Sequence, residues 1–146
     1  MTLIGNILWF LLGGVFMGIA WSLYGLLCFV SILGIPWGRA CFTMATFCFF
    51  PFGREAVRRE YVKGKKDIGT GTLGTIGNIL WCVFAGIWLA LGHLISGLLC
   101  CLTIIGIPFG LQHFKIAGLA LMPVGMTIVP KSHLSPREKN NTFPLV

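Results

Sequence analysis

Two long stretches of this chain contain no Lys, Arg, Asp or Glu: Met1 to Gly38 and Ile68 to Phe114. A helix needs ~20 apolar residues to cross ~30 Å of hydrocarbon, and each stretch exceeds that length. The chain as a whole is 56% hydrophobic and only 10% charged. Its mean hydropathy is +0.89. Both values exclude an ordinary soluble domain and predict an integral membrane protein. The opening "MTLIGNILWF" has no basic residue ahead of its apolar run, and "GIAW" is followed by more apolar sequence. Those features argue against a cleaved secretory signal, so the N-terminal segment is expected to remain part of the membrane domain.

The second constraint is duplication. At an offset of 72 residues, Gly5–Val57 aligns without gaps on Gly77–Val129, with twenty identities in 53 positions. The matches include "GNILW", "GLLC" and "GIP", and Pro51 and Gly53 match Pro123 and Gly125. Apolar composition alone would match Leu and Ile, not Asn, Trp, Pro and Gly. The chain therefore divides into a first membrane repeat (1–57), a basic loop and linker (58–76), a second repeat (77–129) and a polar, mobile tail (130–146).

Charge predicts how the repeats are inserted. Of the eleven cations, Arg54, Arg58, Arg59, Lys63, Lys65 and Lys66 lie in the loop, and Lys131, Arg137 and Lys139 lie in the tail. A net charge of +7 in a soluble protein would suggest nucleic acid. Beside apolar spans it follows the positive-inside rule, so no nucleic-acid partner is expected and both basic segments are placed in the cytoplasm. The loop can also lie on anionic headgroups. With loop and tail on one side, each copy crosses an even number of times. The expected fold is all-α, with two tandem parallel repeats, each a transmembrane helical hairpin, and both termini cytoplasmic.

Each copy must turn somewhere. Trp21, Ser22 and Tyr24 prefer interfaces and suggest a turn there, with helix A over Ile7–Ala20 and helix B over Gly25–Phe52. Helix B would then be broken at "GIPWG" (residues 34–38). The alternative is one long helix from Gly5 to Leu33 that turns at the proline itself. Pro36 removes an N–H and displaces Ile35 from helical geometry. Carbonyls freed by such a break cannot face lipid, and broken spans at matching places in two repeats point toward a transporter's binding site.

Charge near these breaks completes a candidate binding site: Gly34, Pro36, Gly38 and Arg39 from the first copy, Gly106, Pro108, Gly110, Gln112, His113 and Lys115 from the second. In repeat coordinates Arg39 and Lys115 are four positions apart, on one face of helix B. Neither apolar region holds an acid to pair with them. A cationic lining of this kind suits an anion or a phosphate headgroup.

Other features carry structural expectations. The six cysteines form no C-x-x-C and lack a histidine at ligand spacing, so no metal or cofactor is expected, and Cys28 and Cys100 read as apolar filler. His93 replaces Trp21 across the repeat and reads as an interfacial polar residue. Asn6 and Asn78 are expected to bond between helices or cap a helix start. "GVFMG" (14–18) is a G-x-x-x-G suited to close helix contact, while "GTGTLG" (69–74) lacks the strand context of a dinucleotide loop.

"NILW", "GIPWG" and "PFGR" in the first copy, with "NILW", "TIIGIPFGLQHFKIAGLAL" and "MPVG" in the second, resemble the YccF-type inner membrane component family. The resemblance covers nearly all of both repeats and implies a bacterial inner membrane location. It implies no biochemical activity. Met126 stands where the family pattern often has Arg, and Ala40, Phe42 and Thr43 align with Gln112, Phe114 and Lys115, so the copies do not offer identical sites. No carboxylate pair, nucleophile triad or metal set supports an enzyme. Two function classes remain: a homo-oligomeric permeation or transport component favouring anions, or a non-catalytic scaffold binding anionic lipids or partner membrane proteins.

Overall fold

The computed structural model describes residues 2–31, 34–140 and 142, and these are mostly helical. Each repeat is a pair of antiparallel helices, one long and one short. The first pair is α1 (Thr2–Val30) and α2 (Ile35–Phe49). The second is α4 (Thr72–Cys101) and α5 (Ile107–Leu121). Between the pairs run β1 (Arg54–Arg58) and the short α3 (Arg59–Lys63), and after the second come β2 (Met126–Pro130) and α6 (Pro136–Lys139).

The chain does not turn at Trp21–Tyr24. Helix α1 runs through those residues, and the Ser22 hydroxyl donates to the Gly18 carbonyl within its own helix. The turn comes at the proline, as the alternative reading required. Ser31 is extended, and the Gly34 N–H bonds back to the Ser31 carbonyl at 2.8 Å. Pro36 then falls in the first turn of α2, where its missing N–H would have had no helical partner in any case. Helix B is therefore not broken at "GIPWG"; it begins there. The second copy repeats this, with Gly106 N–H bonded to Thr103 Oγ1 at 3.0 Å and Pro108 in the first turn of α5. A side chain at Gly34 or Gly106 would strike the carbonyl of Cys28 or Cys100. These glycines permit the tight apex and are not a freed backbone lining a path.

The open ends of the hairpins are closed by side chains. The four C-terminal carbonyls of a helix have no partner inside it. Trp9 Nε1 donates to the Cys48 carbonyl at 2.6 Å, and Trp81 Nε1 donates to the Ala120 carbonyl at 2.9 Å. The Asn6 amide brackets Phe52, donating to its carbonyl at 3.1 Å and accepting from its N–H at 3.0 Å. Asn78 does the same to Val124, so both asparagines bond between segments of one hairpin. To reach Cys48, the Trp9 indole lies over Gly14, where any Cβ would collide with it. The second long helix widens to a π turn just after its tryptophan, at Cys82–Gly86, whereas the first is kinked at the equivalent Phe10–Gly14, where Gly13 leaves helical geometry at φ 141°. Beyond the short helices, Gly53 and Gly125 take positive φ (83° and 92°) and turn the chain into the strands.

The strands were not expected from sequence, and they correct the all-α reading. β1 and β2 pair antiparallel, with Arg54 opposite Pro130, Ala56 opposite Ile128 and Arg58 opposite Met126. Ala56 and Ile128 are repeat equivalents, so a local two-fold axis passes between them. The hairpins follow the same symmetry and lie head to tail. Trp37, near the apex of the first hairpin, donates to the Gly77 carbonyl near the base of the second at 2.9 Å. Phe109, near the apex of the second, meets Phe52 at the base of the first, with ring centres 5.6 Å apart. Parallel repeats standing side by side would bring apex to apex, so that expectation is overturned.

The core between the hairpins contains Trp9, Trp21, Met44, Phe47, Ile116 and Leu119, all fully buried. The opposite faces of both long helices are apolar and exposed throughout. Trp9→Phe removes the indole N–H and leaves the buried Cys48 carbonyl without its donor, a change of about 1–3 kcal/mol. Its thermal midpoint in detergent, followed by circular dichroism, is expected to fall clearly below that of Trp88→Phe, whose site is 64% exposed.

Candidate functional site

Two regions concentrate polar chemistry. The first is a buried cluster on the local two-fold axis. Trp21 on α1 and His93 on α4 are repeat equivalents, and they bond to each other: Trp21 Nε1 donates to His93 Nε2 at 3.1 Å. Two tryptophans here would oppose two donors with no acceptor. Histidine in one copy supplies the acceptor. His93 is 0% exposed, which corrects the interfacial role expected for it.

The hydrogen-bond pattern fixes the tautomers. His93 accepts at Nε2, so its proton is on Nδ1, which faces His113 Nδ1 at 3.0 Å. His113 then accepts at Nδ1 and carries its own proton on Nε2. A Cβ at Gly13, which sits at φ 141° in the kink of α1, would lie 3.6 Å from that nitrogen. The His113 ring also packs on Trp9, with centres 4.3 Å apart. Cys48 Sγ lies 3.7 Å from His93 Nε2.

Beside this chain is a buried ion pair. Lys115 on α5 is bonded to Glu55 on β1, with side chains 8% and 7% exposed. Lys131 approaches the other Glu55 oxygen at 3.5 Å from the surface. Lys115 therefore is not the unpaired intramembrane cation that the sequence suggested. Its acid comes from outside the apolar region, carried in by the strand. Both charges are asymmetric between copies: the equivalents of Glu55 and Lys115 are Thr127 and Thr43. Gln112 has a buried Nε2 without a hydrogen-bond partner.

The second region is a groove of about 580 Å³ between the apex of the first hairpin and the base of the second. Arg39 and Lys63 bring positive charge to it, and Arg59 lines it. Ile35, Leu73, Ile76 and Leu80 give it an apolar floor. Arg59 is tied to Asp67 by a 3.1 Å ion pair. Burial opposes ionisation of Asp67, but the Arg59 charge and hydrogen bonds from Arg59, Thr70 and Gly69 win, holding its carboxyl below the usual range. Arg39 and Lys63 are exposed and have no acid partner among the described residues. An apolar cavity of about 440 Å³ adjoins the groove, sharing Trp37 and Leu80 with it and reaching Tyr24 and Phe84.

The predicted site is thus divided. Pro36 and Arg39 line the groove, and Gly34 lines the adjoining cavity. Gly38 packs against the Gly25 carbonyl and Gly110 against Cys101 and the Gly97 carbonyl, as helix contacts. Gly106, Pro108, Gly110, Gln112, His113 and Lys115 line neither described cavity. Arg59, Lys63 and Trp37 belong to the groove but were not selected as its lining from sequence, because the head-to-tail packing that gathers them is a long-range property. Among the described residues no group of three or more His, Cys, Asp or Glu is placed to hold a metal ion.

Comparison with known proteins places both repeats. The model of the inner membrane component domain YccF matches residues 4–54 and 76–126. "Inner membrane protein YccF" of Escherichia coli strain K12 is 40% identical over 125 residues, covering 85% of this chain and 84% of that protein. The protein of the same name from Shigella flexneri matches to the same extent. No solved structure matches significantly.

Lys115→Met leaves Glu55 buried without its main partner and is expected to cost about 3–5 kcal/mol. Adding Glu55→Gln should restore most of that loss, measured as unfolding midpoints in detergent across the double-mutant cycle. Nitrogen-15 spectra at neutral pH are expected to show Nδ1–H on His93 and Nε2–H on His113.

Proposed function

This chain belongs to the YccF family of inner membrane component domains, and on that premise we propose that it is a non-catalytic membrane protein that holds one anionic phospholipid in the groove between its hairpins. The observation that carries this reading is the pairing of cationic groove and apolar cavity on either side of Trp37 and Leu80. Arg39 and Lys63 meet the headgroup phosphate, each adding about 1 kcal/mol near the surface. Arg59, neutralised by Asp67, adds no net charge and forms part of the groove wall. The acyl chain crosses Trp37 and enters the cavity beside Tyr24 and Phe84. The basic face is turned to the cytoplasm by the positive-inside rule.

One lipid per chain follows from the asymmetry of the repeats. The second-copy equivalent of Arg39 is Leu111, so the symmetry-related groove lacks that cation. Anion permeation draws less support. Lys115, the second cation of the path, is neutralised by Glu55, and a pair of short hairpins encloses a path only as part of a homo-oligomer.

Native mass spectrometry of protein purified in mild detergent, with phosphatidylglycerol or phosphatidylcholine added, tests the reading. One phosphatidylglycerol should remain bound, and phosphatidylcholine should not. Arg39→Gln with Lys63→Gln removes about 2 kcal/mol and should weaken retention roughly ten- to thirty-fold. Equal retention of both lipids, or no loss in the double variant, would falsify it. Arg39-dependent anion flux into vesicles would instead favour permeation.

A further inference from the structure

The hairpins' packing also bears on how the chain sits in the bilayer. Its basic segments gather on one surface. The Arg59 N–H bonds to the Gly125 carbonyl at the base of the second hairpin, and the Lys131 N–H bonds to the Gly53 carbonyl at the base of the first. Between these bases run the paired strands. Helices α3 and α6 touch, and Thr142 bridges to Val57. Both bases are therefore joined to one another by the strands and the segments that flank them.

That continuity conflicts with hairpins standing along the membrane normal. Because they lie head to tail, upright hairpins would put their bases at opposite membrane surfaces, ~30 Å apart. The strands joining those bases would then run through hydrocarbon, with the exposed Arg54 and Arg58 among acyl chains. Lipid does not tolerate open strand edges or exposed charged side chains at that depth.

We infer that both hairpins lie flat in the cytoplasmic leaflet, with their axes in the membrane plane, so that the chain embeds from one side without crossing. The exposed stripe of α1 (Leu11, Phe16, Leu27) and of α4 (Phe84, Trp88, Leu98) meets the acyl chains. The sheet, α3 and α6 meet the headgroups. Lengths agree with this placement. The long helices, 29 and 30 residues, extend about 45 Å, well beyond the core thickness. The short helices, 15 residues each, reach about 22 Å and fall short of it. This placement stands independently of lipid retention in the groove.

Single cysteines at Thr2, Ser31, Thr72 and Thr103, in a chain whose own cysteines are replaced, sample both bases and both apices. An impermeant maleimide applied to intact spheroplasts should label none of them, whereas Thr2→Cys and Thr72→Cys should both react in inverted vesicles. Labelling of any of the four from the periplasmic side overturns the inference. Labelling of Ser31→Cys and Thr103→Cys together would indicate four parallel spans. Polarised infrared spectroscopy of the unmodified protein in oriented bilayers gives a second test independent of the variants. Helix axes should lie nearer the membrane plane than its normal, and the opposite dichroism overturns the proposal.

Discussion

Duplication of a chain that then folds on itself brings every axial residue against its own copy. A donor there meets a donor, and a charge meets a like charge, in surroundings where neither is relieved by water. The centre of this protein answers that constraint by divergence. Trp21 has become His93 in the second copy, and the indole N–H gains an acceptor. The new ring brings a second nitrogen, which His113 occupies, and the His113 ring is in turn held against Trp9. A single change of residue type thus draws in both long helices and the second short helix.

The same logic explains the ion pair. A symmetric Glu55–Lys115 arrangement would place two such pairs around the axis, doubling the desolvation penalty of buried charge. Only one exists, and Thr43 and Thr127 fill the equivalent positions. The contacts that close the hairpin bases carry no such burden and are kept in both copies. Trp9 and Trp81 close equivalent helix ends, and Asn6 and Asn78 bracket equivalent residues. Divergence at the axis is what a head-to-tail pseudo-dimer requires.

This pattern also shows what could be read from the residues alone. The two-helix unit and its duplication followed from uncharged length and a fixed offset, both local properties, while the long helix stood only as the alternative reading. The position of the turn was misread because Trp21, Ser22 and Tyr24 resemble an interfacial girdle. In the folded chain Ser22 bonds to its own helix, while Trp21 and Tyr24 pack on Trp81, so their polarity is spent inside the protein. The strand "REAVR" reads as a charged linker because it lacks an alternating apolar pattern, its three central residues Glu55, Ala56 and Val57 all being buried. One signal did mark the ion pair in advance. Acid and base are each unmatched in the other repeat, and each is replaced there by threonine. Paired departures from an internal symmetry carry spatial information that neither residue carries singly.

Head-to-tail packing finally accounts for where the groove lies and why its charge is not repeated. An apex is where a hairpin exposes its tight turn and the first residues of its short helix; a base is where the basic linker leaves the helices. Setting one against the other puts Arg39 next to Arg59 and Lys63, residues separated by a whole helix and a strand in sequence. At the opposite end the same juxtaposition brings Phe109 to Phe52, with Leu111 in place of Arg39, and yields aromatic packing. The duplicated fold therefore has two geometrically equivalent junctions. Residue chemistry gives one of them an aromatic contact and the other its positive charge.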